Sequence, residues 1–340
     1  MAPTAKFSLP SREQRNMRFG LVSLDILTDI LSNLNKRNKS NLENVSDLCG
    51  CLKERRIVEC VFLLCDELGL NPVVGYQAIE ILERFTAKYI EDLIHSQKGR
   101  PMQGVSTEDT GNYEDLIFQT LKKKLFLFIL SSVQIASKLD LYSNVVNNDI
   151  AVRFLHAANY PSSKEQLLDS EILILKTLNF NLNVPNPVTY VETLLEVLGH
   201  NNRTVPVAQL HHLCVHVLQF IYLQRETIYN SLLISATGCP SPTREQRAKF
   251  VSVTEDFMLL GVGVIAVAAF IHHISTWEKC VWFMCAAGSG GADRDNRDFR
   301  PEYRGLCTCH TDAHHQDQIH VTLEVRNMKC EEQITARVQI

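Results

Sequence analysis

The stretches SSVQIASKLD (131–140) and SEILILKTLNFNLNVPNP (170–187) decide the reading of this chain. In the first, Leu121, Leu125, Phe128, Ser132, Ile135 and Leu139 recur at helical spacing and predict a helix over about 116–139. Its centre is built of Ser131, Ser132, Ala136 and Ser137, and small residues let neighbouring axes approach closely. Its last turn carries Lys138. In the second, Ser162 or Ser163 caps a helix that ends at Leu178, because Pro185 and Pro187 forbid continuation. That helix sets Glu171 among Leu167, Ile174, Leu175 and Leu178. A carboxylate on such a face loses hydration, so it needs a counter-charge or donors to stay ionised.

Working outward, the same periodicity predicts three more helices before residue 170. KERRIVECVFLLCDELGL (53–70) places Ile57, Val61, Leu64, Cys65 and Leu68 on one face, and Gly69 with Asn71-Pro72 stops it. A second helix over about 73–94 aligns Ala78, Leu82, Phe85 and Tyr89. Residues 95–115, rich in Gly, Pro, Ser and charge, read as a surface loop. Asp149 is the expected cap of a short helix ending near Asn159. Before these, Leu21, Leu24, Leu27, Leu31 and Leu34 predict a preliminary helix inside an otherwise polar segment, 1–52.

A second helical set is expected near 187–199, 207–224, 226–236 and 250–274. The last repeats the small-residue character of 131–137 with Gly261, Gly263, Ala266, Ala268 and Ala269. Two similar units in tandem follow, at 53–184 and 185–280. After about 286 the composition turns to glycine and charge (GSGGADRDNRDFRPEYRG), and 281–340 reads as a disordered tail.

Composition bounds the function. The chain has 340 residues, 45% of them hydrophobic, and net charge −4. It can bury a core, and no global electrostatic case for nucleic acid exists. The first 56 residues hold ten Lys or Arg against six Asp or Glu, too small a bias for a DNA-binding arm. Eleven cysteines, an odd number scattered through helical patterns, fit buried free thiols in a reducing compartment. Residues 1–20 carry no apolar run, and the 15 apolar residues of 257–271 fall short of a bilayer span. The expectation is a soluble intracellular protein.

The phrasing ILERF, QIASKL, LKTLNF and YVETLLEVLG, spread over about 53–275, resembles the cyclin family. The resemblance implies an all-α fold: a five-helix cyclin box over 53–184, then a truncated second cyclin-like unit. It implies that Lys138 and Glu171 meet at the surface and bind a cyclin-dependent kinase. The chain itself would be no enzyme; it would favour the active position of the kinase's regulatory helix. Within the family the wording is similar to a member tied to meiotic prophase, implying a regulator that promotes maturation of crossover intermediates. Its partners would then include meiotic crossover proteins, and its place would be the nucleus, on meiotic chromosomes. Neither a membrane nor direct nucleic-acid contact is expected. Many cyclins dock substrates on an apolar patch of the first helix; Lys53, Ile57 and Cys60 stand at those positions, which weakens that expectation. A kinase-independent scaffold recruiting recombination or ubiquitin-ligase proteins is the alternative.

The remaining motifs are less specific. Ser241-Pro242-Thr243-Arg244 resembles a proline-directed kinase site and makes Ser241 a candidate phosphosite. Lys122, Lys123 and Lys124 read as a solvated helix face. Cys307, Cys309, His310, His314, His315, His320 and Cys330 are ligand-rich without a standard zinc frame, so no metal or other cofactor is expected. No nucleophile–base arrangement, phosphate loop or metalloprotease motif is present in the sequence.

Overall fold

The computed structural model describes residues 18–45, 50, 52–98, 109–140, 146–160, 162–183 and 186–272. The expected tail and its Cys and His residues lie outside them. Among the described residues the chain forms eleven helices and no strand: α1 (Leu24–Glu43), α2 (Arg55–Glu67), α3 (Pro72–Lys98), α4 (Asp109–Leu139), α5 (Asn148–Ala157), α6 (Lys164–Thr177), α7 (Pro187–Asn201), α8 (Val207–Leu223), α9 (Arg225–Thr237), α10 (Arg244–Thr254) and α11 (Phe257–Ile271).

The hub of the first half is α4, which packs against α2, α3 and α6. Its small residues make this possible: Ser131, Ser132, Ala136 and Ser137 are all buried. Where α4 is wider, Phe128 meets Phe85 of α3 edge-on, with ring centroids 4.9 Å apart. In the second half α11 packs against α7, α8 and α1. A Cβ on Gly261 would come within 3.1 Å of Leu194, so this glycine sets how near α7 can lie.

Local chemistry sets the helix ends. Asn147, and not the expected Asp149, caps α5: its Oδ1 accepts the Ile150 N–H at 2.9 Å, while Asp149 sits inside the first turn, where an acid favours the dipole. Ser163 caps α6 in a reciprocal box with Gln166. Asn186 caps α7, with Pro187 at its first position.

Three further expectations are corrected. The surface loop predicted over 95–115 is shorter, because α3 continues to Lys98 and α4 already begins at Asp109. The single helix predicted over 250–274 is two, α10 and α11, bent by 74° at Glu255-Asp256. Asp256 starts the second one by accepting the Leu259 N–H at 2.9 Å, and Glu255 turns inward to an ion cluster described below. In the N-terminal leucine series, Leu27 and Leu34 are buried but Leu21 and Leu24 are exposed. Among the described residues no single helix is long and apolar enough to cross a membrane.

The segment around α1 ties the two ends of the fold together. The backbone N–H groups of Gly20, Leu21 and Val22 donate to the Glu196 carboxylate of α7 at 2.8, 2.7 and 2.7 Å. Gly20 and Gly199 touch backbone to backbone; a Cβ on Gly199 would lie 3.1 Å from the Gly20 nitrogen. Farther along, Asn38 donates to Asp256 and accepts the Phe257 N–H, at 2.8 and 3.0 Å. It thereby holds the start of α11.

Candidate functional site

The structure brings Lys138 and Glu171 together. Lys138 Nζ donates to Glu171 Oε1 in an ion pair between the last turn of α4 and the second turn of α6. The lysine side chain is 41% exposed and the glutamate 11%. The pair is therefore a rim feature with a sheltered acid and an open base. The two helices are registered just behind it by Ser131 Oγ donating to Ser170 Oγ at 2.9 Å. Ser137 Oγ accepts the Val146 N–H at 3.2 Å and fixes the chain that leaves α4.

Exposed apolar side chains flank both members. Leu139 follows Lys138 and Ile172 follows Glu171, and both are exposed. Leu139, expected to continue the buried stripe of α4, instead faces outward. Beyond α6 the chain turns with Asn179 N–H donating to Lys176 O at 2.9 Å and Phe180 N–H to Leu175 O at 2.8 Å. This paired closure is a Schellman turn with Asn179 (φ 51°) at its left-handed position, and Phe180 (φ 58°), the next residue, is left-handed as well. Asparagine tolerates that region; a bulky aromatic does not. Phe180 is nevertheless kept there, 68% exposed. A strained backbone presenting an exposed ring commonly marks a functional surface. The same exit loop meets α1, where Arg37 donates to Asn183 Oδ1. Ile26 and Ile30, both exposed, lie on the Arg37 side of α1 at helical spacing.

A second ionic site lies in the interior. Lys53 Nζ sits 3.0 Å from Glu80 Oε2 of α3 and 2.7 Å from Glu255 Oε2. Arg225 Nη2, at the start of α9, is 2.9 Å from Glu255 Oε1. Tyr222 O–H donates to Glu80 Oε1 at 2.9 Å. No side chain of the four charged residues is more than 9% exposed. Burial pulls the Lys53 ammonium down, but Glu255 and Glu80 more than offset it and hold it above its ordinary value. Burial likewise opposes the ionised form of Glu255, yet Lys53 and Arg225 keep its carboxyl below the usual range. Nearby, burial raises Glu83, although its carboxylate accepts the Gly50 and Leu52 N–H groups. The cluster joins the 53–98 helices to α9 and the α10–α11 bend.

This explains the docking-patch positions. Lys53 is turned inward and puts no charge on the surface, Ile57 is buried, and Cys60 is half-buried. An apolar groove of about 340 Å³ remains between α2, α4 and α5, with Cys60, Leu63, Phe126 and Phe154 on its walls and Arg56, Glu59 and Glu67 around it. Cys65 and Cys214 are interior thiols, each pushed up by burial to about 12, which makes them unreactive. Ser241 lies apart from all of this, exposed in the turn between α9 and α10. Among the described residues no group of three or more His, Cys, Asp or Glu could hold a metal.

The pair Lys138–Glu171 was legible in sequence; Phe180 and the Lys53–Glu80–Arg225–Glu255 cluster were not. Glu80 gave the one available signal, a charge inside the apolar run Ala78, Ile79, Ile81, Leu82.

No family model and no solved structure matches the chain. Among curated proteins, it is 41% identical over 266 residues to human cyclin N-terminal domain-containing protein 1, covering 78% of this chain and 80% of that one. It is 42% identical to the mouse protein of the same name, again over 266 residues, 78% of this chain and 79% of that one. With similarity of that extent laid over an all-helical fold, the chain belongs to the cyclin N-terminal domain-containing protein 1 family.

Proposed function

We propose that this chain is a non-enzymatic, cyclin-like regulator that binds a cyclin-dependent kinase through the face around Lys138 and Glu171. The observation that carries the reading is the company the pair keeps: exposed Leu139, Ile172 and a strained, exposed Phe180 beside an ion pair with an open lysine. An apolar rim around a small charged centre gives a partner both buried area and register. The carboxylate of Glu171 is sheltered enough to strengthen a hydrogen bond from an incoming backbone or lysine. Binding would favour the active position of the kinase's regulatory helix by differential affinity, with no chemistry on this chain. The tandem arrangement, one box at 53–184 and a second unit from 185, belongs to the same proposal.

The cyclin resemblance suggests the biological setting: maturation of crossover intermediates in meiotic prophase, on chromosomes in the nucleus, with crossover proteins as further partners. The test is capture of kinases from meiotic tissue by the wild type, Lys138→Ala, Glu171→Ala and Phe180→Ala. The reading expects capture by the wild type and loss in the three variants. Absence of any kinase on the wild type, or equal capture by all four, overturns it.

One observation favours a kinase-independent scaffold: Lys138 and Glu171 already satisfy each other without a partner. In that case Glu171→Ala lowers thermal stability while partner capture is unchanged.

A further inference from the structure

The helices α9 and α10 form a hairpin that is clamped at its base and open at its tip. At the base, Arg225 begins α9 and Glu255 follows α10, and the two are ion-paired inside the buried cluster with Lys53. The Arg225 guanidinium also donates to Thr254 O. At 1.5 Å per residue the 13 residues of α9 carry the tip about 20 Å from that base. The turn there begins with Gly238 in the left-handed region (φ 61°) and runs Cys239-Pro240-Ser241-Pro242-Thr243 into α10. Ser241 is exposed, Pro242 is buried, and Thr243 is extended (φ −68°, ψ 163°).

We propose that Ser241 is the phosphoacceptor of a proline-directed protein kinase that selects a basic residue three positions on, Arg244. Three observations support it together. The chain has eleven prolines, and Pro242 alone follows a serine or threonine, so a proline-directed kinase has one acceptor in the whole sequence. Ser241 is exposed in the turn at the hairpin's tip, outside either helix. Finally, α10 buries none of its residues. The first turn, closed by the Thr243–Gln246 box, can therefore open at small cost, releasing Pro242 from its packed position and presenting Arg244 in an extended segment.

The chemistry balances with ATP as co-reactant. Ser241 Oγ attacks the γ-phosphorus of ATP; the Oγ–P bond forms, the bond from that phosphorus to the bridging oxygen breaks, and ADP leaves with the electron pair. The hydroxyl proton passes to the kinase's carboxylate base. The product adds about −1.5 to −2 charge next to Arg244. This inference does not depend on the chain binding a kinase as its regulator, because any kinase of this specificity would serve.

The test uses the full chain, ATP and a purified cyclin-dependent kinase already paired with its own cyclin. Expected is close to one phosphate per chain, mapped by mass spectrometry to Ser241 and absent in Ser241→Ala. Arg244→Ala should lower the initial rate by about tenfold, the worth of one charge-assisted hydrogen bond. A peptide spanning 236–248 serves as the reference substrate. Phosphate at another residue, unchanged uptake in Ser241→Ala, or a labelled peptide beside an unlabelled folded chain would each overturn the proposal. An unlabelled peptide would overturn it too, since the kinase would then not read this motif.

Discussion

Two ionic sites in one molecule face opposite demands. Lys53, Glu80, Arg225 and Glu255 are sealed from water, each answered by at least one opposite charge and, for Glu80, by the Tyr222 hydroxyl. Among the described residues Lys138 and Glu171 have only each other as ionic partner, and the lysine remains in contact with solvent. Coulomb attraction is stronger in the interior, but so is the penalty for any group left alone. The sealed cluster is thus suited to holding helices in place and unsuited to exchange. The rim pair is better suited to exchange, because Lys138 is open to solvent and is readily rehydrated when its partner departs. Charge alone did not separate the two roles; burial and the number of partners did.

The comparison breaks most readily at Lys53. Lys53→Met leaves Glu80 and Glu255 with too little positive charge in the interior, and urea unfolding should show a loss of about 3–5 kcal/mol. A loss below 1 kcal/mol would mean that water reaches the cluster and that the contrast is false.

A smaller effect on the same cluster comes from acid. The folded-state carboxyl of Glu255 lies below its ordinary value, so its contribution is present above the unfolded value of about 4.3 and is lost as pH falls through the folded one. Glu83 works in the other direction, since its raised carboxyl gains stability as it is protonated. The stability gap between wild type and Glu255→Gln, measured by urea titration, should be widest near neutrality and close below about pH 4.

Phe180 sharpens the other side. Phe180→Asn relieves a left-handed aromatic that buries little, so the protein should gain about 1 kcal/mol. The same variant should weaken kinase capture, which is the signature of strain kept for a partner. The smallest expected effect is at Lys138. Lys138→Ala should change stability by no more than about 1 kcal/mol in thermal unfolding, because the group is solvated and its ion pair is a rim pair.

Helix existence was readable because the apolar periods of α2, α3, α4 and α6 are strong and their caps are local. Helix boundaries were harder. Asn147 and Asp149 are both good caps, and only the course of the chain before α5 chose between them. The bend at Glu255-Asp256 was invisible in periodicity because it is set by partners far away: Asn38 holds Asp256, and Lys53 with Arg225 holds Glu255. Lys138 and Glu171 could be paired in advance through a family resemblance; spacing alone does not bring residues 33 apart together. Phe180 was hidden for a different reason. Between Leu178 and Leu182 nothing in the residue pattern marks it as exposed and left-handed; that follows from the turn that closes α6.

The anchoring of α1 sets a timetable for synthesis. Its acceptor Glu196 lies 176 residues after Gly20, and Phe257 lies 219 residues after Asn38. At about 5–20 residues per second, Leu27 and Leu34 leave the ribosome roughly 10–40 seconds before the α7 and α11 residues that pack against α1. During that interval the nascent chain carries an uncovered greasy strip near its front, and a chaperone that shields it would be expected to raise the yield of folded protein.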